Sequence, residues 1–200
     1  MSIVEIIIGF VIGIVATIVG ALILDLVGVW RPFQGFREIG VIRVFKTQKN
    51  ATKSILKNIE KSSILHVLAM RGESFSHPEK PLSKYLSNAK IEHKYLISSL
   101  ENPYLNTRNE ELNFDMSESI TQSIKNIKRA QHTNKNIEIK QHKEVMRFRI
   151  ILLSHCLYLS FQEINVPVRK SPVLKIDKNS SMYKCFYSLF DDLWKEYPLL

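Results

Sequence analysis

The stretch ILHVLAMRGESF, residues 64–75, decides the fold. Its apolar run from Ile64 to Met70 has the length of a strand and reads as a buried one. Arg71-Gly72-Glu73-Ser74 breaks it at once. Upstream, Ala51 to Glu60 reads as a helix with Ile55 and Ile59 one turn apart. Downstream come a short helix over Leu82–Asn88 and a second strand over His93–Leu100, which ends before Asn102-Pro103. Asp115-Met-Ser-Glu118 has the spacing of a capping box. It opens a helix with Ile120, Ile124 and Ile127 on one face and Lys125, Lys128 and Arg129 on another.

Asn136–Lys140 alternates like a strand, and Phe148–Leu153 with Leu157–Phe161 reads as a hairpin, although Ser154-His155-Cys156 is poor turn chemistry. Val173–Ile176 makes a further strand. Asn179 or Ser180 caps a last helix, whose Tyr183, Phe186, Phe190 and Trp194 form an apolar stripe. Strands alternating with helices predict an α/β layered domain with a central sheet. No internal repeat or low-complexity tract interrupts it.

Outside this domain the chain changes character. Its 200 residues carry a net charge of +9, and Glu5 and Asp25 are the only charges before Arg31. From Arg31 onward 28 basic residues face 17 acidic ones, a net +11. A basic body behind an apolar N-terminus points to an anionic partner, either nucleic acid or a lipid head group. Cys156 and Cys185 both lie in apolar surroundings without a ligand-spaced partner, so they read as buried free thiols, and no metal site or cofactor is expected.

Residues 6–24 contain no charge. As a helix they would span roughly 28 Å, close to the hydrocarbon thickness of a bilayer. Glu5 precedes the run and bulky residues close it, which argues for a retained anchor rather than a cleaved signal. The basic residues all follow it, so the expected topology is single-pass in the cell membrane, with the N-terminus outside and the C-terminal domain cytoplasmic. Expected domains are therefore a transmembrane helix over 1–30, a juxtamembrane linker over 31–50 and a basic α/β domain over 51–200. Gly9, Gly13, Ala16 and Gly20 recur at steps of four, three and four residues and share one helix face. Small residues let helix backbones approach closely in lipid, so this stripe is the candidate surface for homo-oligomerisation.

ILHVLAMRGESF (64–75), HKYLISSLENPYLNTRNEEL (93–112), FRIILLSHCLYLSF (148–161) and YKCFYSLFDDLWKEY (183–197) together resemble the phospholipase D-like α/β fold. That family cuts phosphodiesters with an HxKxxxxD motif, in which histidine attacks phosphorus, lysine binds phosphate oxygens and aspartate orients the histidine. Where the motif should fall, this chain places Val145 for the nucleophile, Arg147 for the lysine and Leu152 for the aspartate. Without a nucleophile no phosphoenzyme forms. The resemblance therefore implies a cleft that binds phosphate without cutting, walled by Arg71 and Arg108 after the first two strands and by Arg147, Arg149, Arg169 and Lys170. Guanidinium groups hold phosphate through paired, charge-assisted hydrogen bonds. His66 reads as a core residue, and His142 is a lesser candidate for the cleft.

The architecture also resembles the toxic membrane effectors of prokaryotic antiviral defence, in particular the effector that partners short Argonaute proteins in Sulfolobus-type archaea. That resemblance implies a non-enzymatic protein whose partner complex activates it to engage anionic phospholipid, depolarise the membrane and abort infection, without reading a nucleic-acid sequence directly. Two other readings stand beside it: a membrane-tethered phosphodiesterase or nuclease, with Glu73, His77, His93 and His142 as its acid–base pool, and a membrane-anchored nucleotide or nucleic-acid sensor.

Overall fold

The computed structural model describes residues 39–161 and 170–200. The candidate anchor, including Gly9, Gly13, Ala16 and Gly20, lies outside these, as does Arg169. Among the described residues no helix is long and apolar enough to cross a membrane.

Seven strands form one sheet: β1 (Val41–Phe45), β2 (Ile64–Ala69), β3 (Glu92–Ser98), β4 (Ile137–His142), β5 (Phe148–Leu153), β6 (Cys156–Phe161) and β7 (Val173–Asp177). Their order across the sheet is β1-β7-β6-β5-β2-β3-β4. β2, β3 and β4 run parallel, and β5 lies antiparallel to β2, pairing Leu68 with Ile150. Among the described residues five helices accompany them: α1 (Gln48–Ile59), the single turn α2 (Glu73–Ser76), α3 (Tyr104–Leu112), α4 (Ser117–Thr133) and α5 (Ser181–Glu196). Ser83–Ser87 adds a 3-10 turn.

Strand periodicity sorts the core into two layers. Leu65, Val67 and Ala69 of β2 meet α1, α3 and α4 on one face, whereas Leu68 meets α5 on the other. Local chemistry fixes the helices. Thr47 caps α1 by accepting from the Asn50 N–H, and Ala51, Ile55 and Ile59 bury its inner side. Asp115 accepts from the Ser117 N–H at 2.9 Å, without a reciprocal bond from Glu118. Ser180 caps α5 by accepting from the Tyr183 N–H at 3.1 Å.

Two elements depart from the sequence reading. β1 falls inside residues 31–50, read above as linker, and forms the sheet's edge against β7. α3 occupies a segment to which the hydrophobic pattern assigned no element; only Tyr104, Leu105 and Arg108 of it are buried. The Ser154-His155 turn closes a hairpin despite its composition, because neighbours satisfy it. Ser62 Oγ accepts from the Ser154 N–H at 2.8 Å, and His155 Nε2 lies 2.8 Å from Asn58 Oδ1. Cys156 is buried, and burial pushes its thiol up to about 11, whereas Cys185 is exposed on α5 rather than buried.

Candidate phosphate-binding cavity

A cavity of about 990 Å3 opens at the carboxyl ends of the parallel strands, between α1, the loop after β2, the end of α3 and the start of β5. Ligand sites in open α/β sheets favour this end, where strand-to-helix loops converge. Gly72 shapes its floor. The residue has φ +69°, a conformation that favours glycine, and a Cβ there would press on Ile97 Cδ1 at 2.7 Å.

Three of the expected cations meet in the cavity: Arg71, Arg108 and Arg149. Arg71 sits at the lip, its Nη1 3.5 Å from Glu73 and its guanidinium over the Phe114 ring. Arg108 is buried and its Nη1 donates to Glu111 Oε2 at 2.7 Å. Arg149 is also buried. β5 begins at Phe148, and Arg149 shares the face of Ile151 and Leu153, which turns it toward α1. Its Nη2 donates to Ser160 Oγ at 3.3 Å, and its Nε has no partner among the described residues. Burial pulls this guanidinium down to about 10, which leaves it charged at neutral pH. A buried charge facing one neutral hydroxyl is costly, and an anion in the cavity removes the cost.

The remaining candidates lie elsewhere. Arg147 does not line the cavity; its Nη2 binds Glu111 Oε1 at 2.7 Å, and its guanidinium covers the Tyr104 ring. Lys170 is exposed and outside the lining. Val145 is 60% exposed, while Leu152 is buried on the α5 face, so the two motif positions share no site. The cation that β5 does supply to the cavity, Arg149, comes two residues after Arg147.

No histidine lines the cavity. His142 occupies the end of β4 with the side-chain parity of Lys140, whose ammonium contacts Trp194 of α5, and so points to the opposite face. Burial holds it down to about 4, against the opposing pull of the Ala69 and Glu144 backbone and the Glu144 carboxylate. His66, likewise lowered to about 4 by burial, stacks on Phe190 in the core, with Nε2 3.2 Å from Glu92. Among the described residues no group of three His, Cys, Asp or Glu side chains could hold a metal ion.

The sequence reading missed Lys49 and Lys53, which stand one turn apart on α1 at the mouth. The available signal was their placement on the helix face away from Ala51, Ile55 and Ile59. Phe114 also escaped it; this exposed aromatic completes the lip opposite Arg71.

No family model matches the chain, and no curated protein matches it. Solved structures do. A phospholipase D family member, Nuc from Salmonella typhimurium, aligns with a TM-score of 0.54 at 13% identity, over 79% of this chain and 96% of that one. TrmBL2, an archaeal chromatin protein whose structure shows a novel mode of DNA binding, aligns with a TM-score of 0.50 at 12% identity, over 100% of this chain and 72% of that one. At these identities the likeness is one of fold: a mixed α/β sheet of phospholipase D-like type.

Proposed function

We propose that this chain is a membrane effector whose phospholipase D-like head binds an anionic phosphate ligand without cutting it. In full, the reading is a non-enzymatic effector of prokaryotic antiviral defence. It is anchored by residues 1–30 and oligomerises through Gly9, Gly13, Ala16 and Gly20. An Argonaute-type partner complex activates it to engage anionic phospholipid and depolarise the membrane. The observation that carries the binding step is Arg149, a buried charge that lines a cavity holding two more arginines and no histidine. Phosphate would supply the missing acceptors, and the histidine that serves as nucleophile in the resembling family is not among the lining residues. Arg71 and the lysines at the mouth would meet the rest of that phosphate ligand.

The test uses the full chain in phosphatidylcholine vesicles with and without phosphatidylglycerol, loaded with a potential-sensitive dye. Clustered wild-type protein should depolarise the anionic vesicles and leave phosphodiesters uncleaved. Arg149→Met should lower affinity for inorganic phosphate by about tenfold to a hundredfold, the worth of a lost charge-assisted hydrogen-bond pair. Turnover of lipid, RNA or DNA phosphodiesters would replace this reading with the phosphodiesterase. Preference for oligonucleotides over anionic vesicles would favour the nucleic-acid sensor, which the fold of the DNA-binding chromatin protein keeps in view.

A further inference from the structure

A second group of cations stands at the other end of the sheet. β5 carries Arg149 at its start and delivers the Ser154-His155 turn at its finish, so about 20 Å of strand separates the two ends. At the turn end Lys175 of β7 lies beside Arg43 of β1 in register. Lys175 Nζ donates to Asn58 Oδ1 at 3.2 Å, the same oxygen that His155 reaches. Lys61 follows α1, and Lys178 follows β7; both are exposed. Among the described residues none of Lys61, Lys175 and Lys178 forms an ion pair, although Asp177 and Glu60 are near neighbours in sequence. Glu60 instead meets Lys84 and Tyr85, and Asp177 caps its own turn through the Asn179 N–H. A helix dipole accounts for a lysine after α1. It does not account for two more arriving from β7.

The chain enters the domain at this same end. Gly40 has φ +88°, its carbonyl accepts from the Asp177 N–H at 2.8 Å, and a Cβ there would lie 2.0 Å from Ser180 Cβ. Residue 40 is therefore pinned against the turn that carries Lys178. Ile39 and Ile42, both exposed, flank it. Fewer than ten residues separate it from the apolar run that ends at Trp30.

We infer that the end of the domain bearing Lys61, Lys175, Lys178 and His155 docks on the anionic surface of the bilayer in which the chain is anchored. Lysines that form no ion pair among the described residues, near the exposed Ile39 and Ile42, match a lipid interface, where each basic residue adds a comparable electrostatic increment and no specific geometry is needed. In this pose the phosphate cavity, at the opposite end of the sheet, faces away from the docked membrane. His155 fits the pose: burial and then Lys175, Lys61 and Lys178 hold its imidazole below the usual range, and anionic lipid would reverse the lysines' share. The inference takes only the anchor from the proposed function and requires that the cavity's phosphate ligand be other than the docked bilayer.

A fluorophore on Cys185, exposed one turn into α5 while Cys156 is buried, reports approach to nitroxide-labelled lipid. Full-length protein should be quenched more strongly in vesicles containing phosphatidylglycerol than in phosphatidylcholine alone. Reversing two charges with Lys61→Glu and Lys178→Glu should weaken that docking equilibrium by at least about tenfold. Lys61→Gln with Lys178→Gln should give an intermediate loss. Equal quenching in neutral and anionic vesicles, or undiminished quenching in the reversed variant, overturns the inference. Loss through Arg149→Met alone overturns it too, by moving lipid contact to the cavity. Loss of oligonucleotide binding in the reversed variant, with vesicle contact intact, reassigns the surface to nucleic acid.

Discussion

The two ends of the sheet carry charge under opposite conditions. At the cavity end Arg108 and Arg149 are buried; burial moves Arg149 to about 10 and is the main cause that brings His142 to about 4. At the turn end Lys61 and Lys178 stand in solvent, and Lys175 is half-buried. A desolvated charge costs free energy until a shaped partner arrives, so it selects a particular ligand. Solvated charges cost little and attract any anion, so they suit a diffuse partner such as a membrane face. The buried cations at the first end are both arginines, which fits the same division, since guanidinium is the more weakly hydrated and the more directional donor.

The largest expected effect comes from acid. The folded state holds His142 near 4 against an ordinary value of 6.5, so between these values the unfolded chain binds a proton that the fold rejects. Stability is therefore fully present above pH 6.5 and falls as pH drops toward about 4, by up to about 3 kcal/mol for this residue. His66 adds a second loss in the same window. Urea unfolding at pH 7 and pH 4.5 should show the decline, and His142→Leu should recover about half of it. His155, at the turn end, should contribute far less; an equal recovery on replacing it would erase the contrast between the ends.

A smaller effect separates the cations themselves. Arg149→Met removes a buried charge whose Nε is unpartnered, so the apo protein should gain about 1–3 kcal/mol in urea unfolding while losing phosphate affinity. Lys175→Met gives up one hydrogen bond to Asn58, which His155 still serves, and should change stability by less than about 1 kcal/mol. If Arg149→Met destabilises, its charge is structural and the cavity is not a ligand seat.

Most of the scaffold was legible because its signals are local. The apolar runs of β2, β5 and β6 and the stripe of α5 each announce burial by composition or period. β1 was not, because an edge strand exposes Ile42, Arg43 and Val44 in succession, and the bulge between Val41 and Arg43 disrupts alternation. α3 was hidden for a related reason: its packing rests on Tyr104, Leu105 and an ion-paired Arg108, a pattern that reads as polar loop. In the site, Arg71 and Arg108 were legible from their places after strand ends. The motif register pointed to Arg147, whereas strand parity turns Arg149 inward and Glu111 holds Arg147 outside. The turn-end groups come from β1, the end of α1, the turn between β5 and β6, and β7, and the register Arg43–Lys175 and the shared Asn58 oxygen bring them together.

Salt supplies the finest test. His155 is lowered by burial first and by three lysines after it, and its surroundings are open enough for counterions to reach. Raising ionic strength from about 0.01 M to about 1 M shortens the screening length from about 30 Å to about 3 Å, which removes the lysines' share and leaves the desolvation. The imidazole of His155 should therefore titrate measurably higher at high salt. His142 is lowered by burial, and salt does not enter the protein interior, so its titration should stay near 4. Proton-detected histidine titrations at the two salt concentrations follow both residues in one sample. A parallel shift would mean that the two ends share one dielectric environment, and the division between a selective seat and a diffuse docking face would then lose its physical basis.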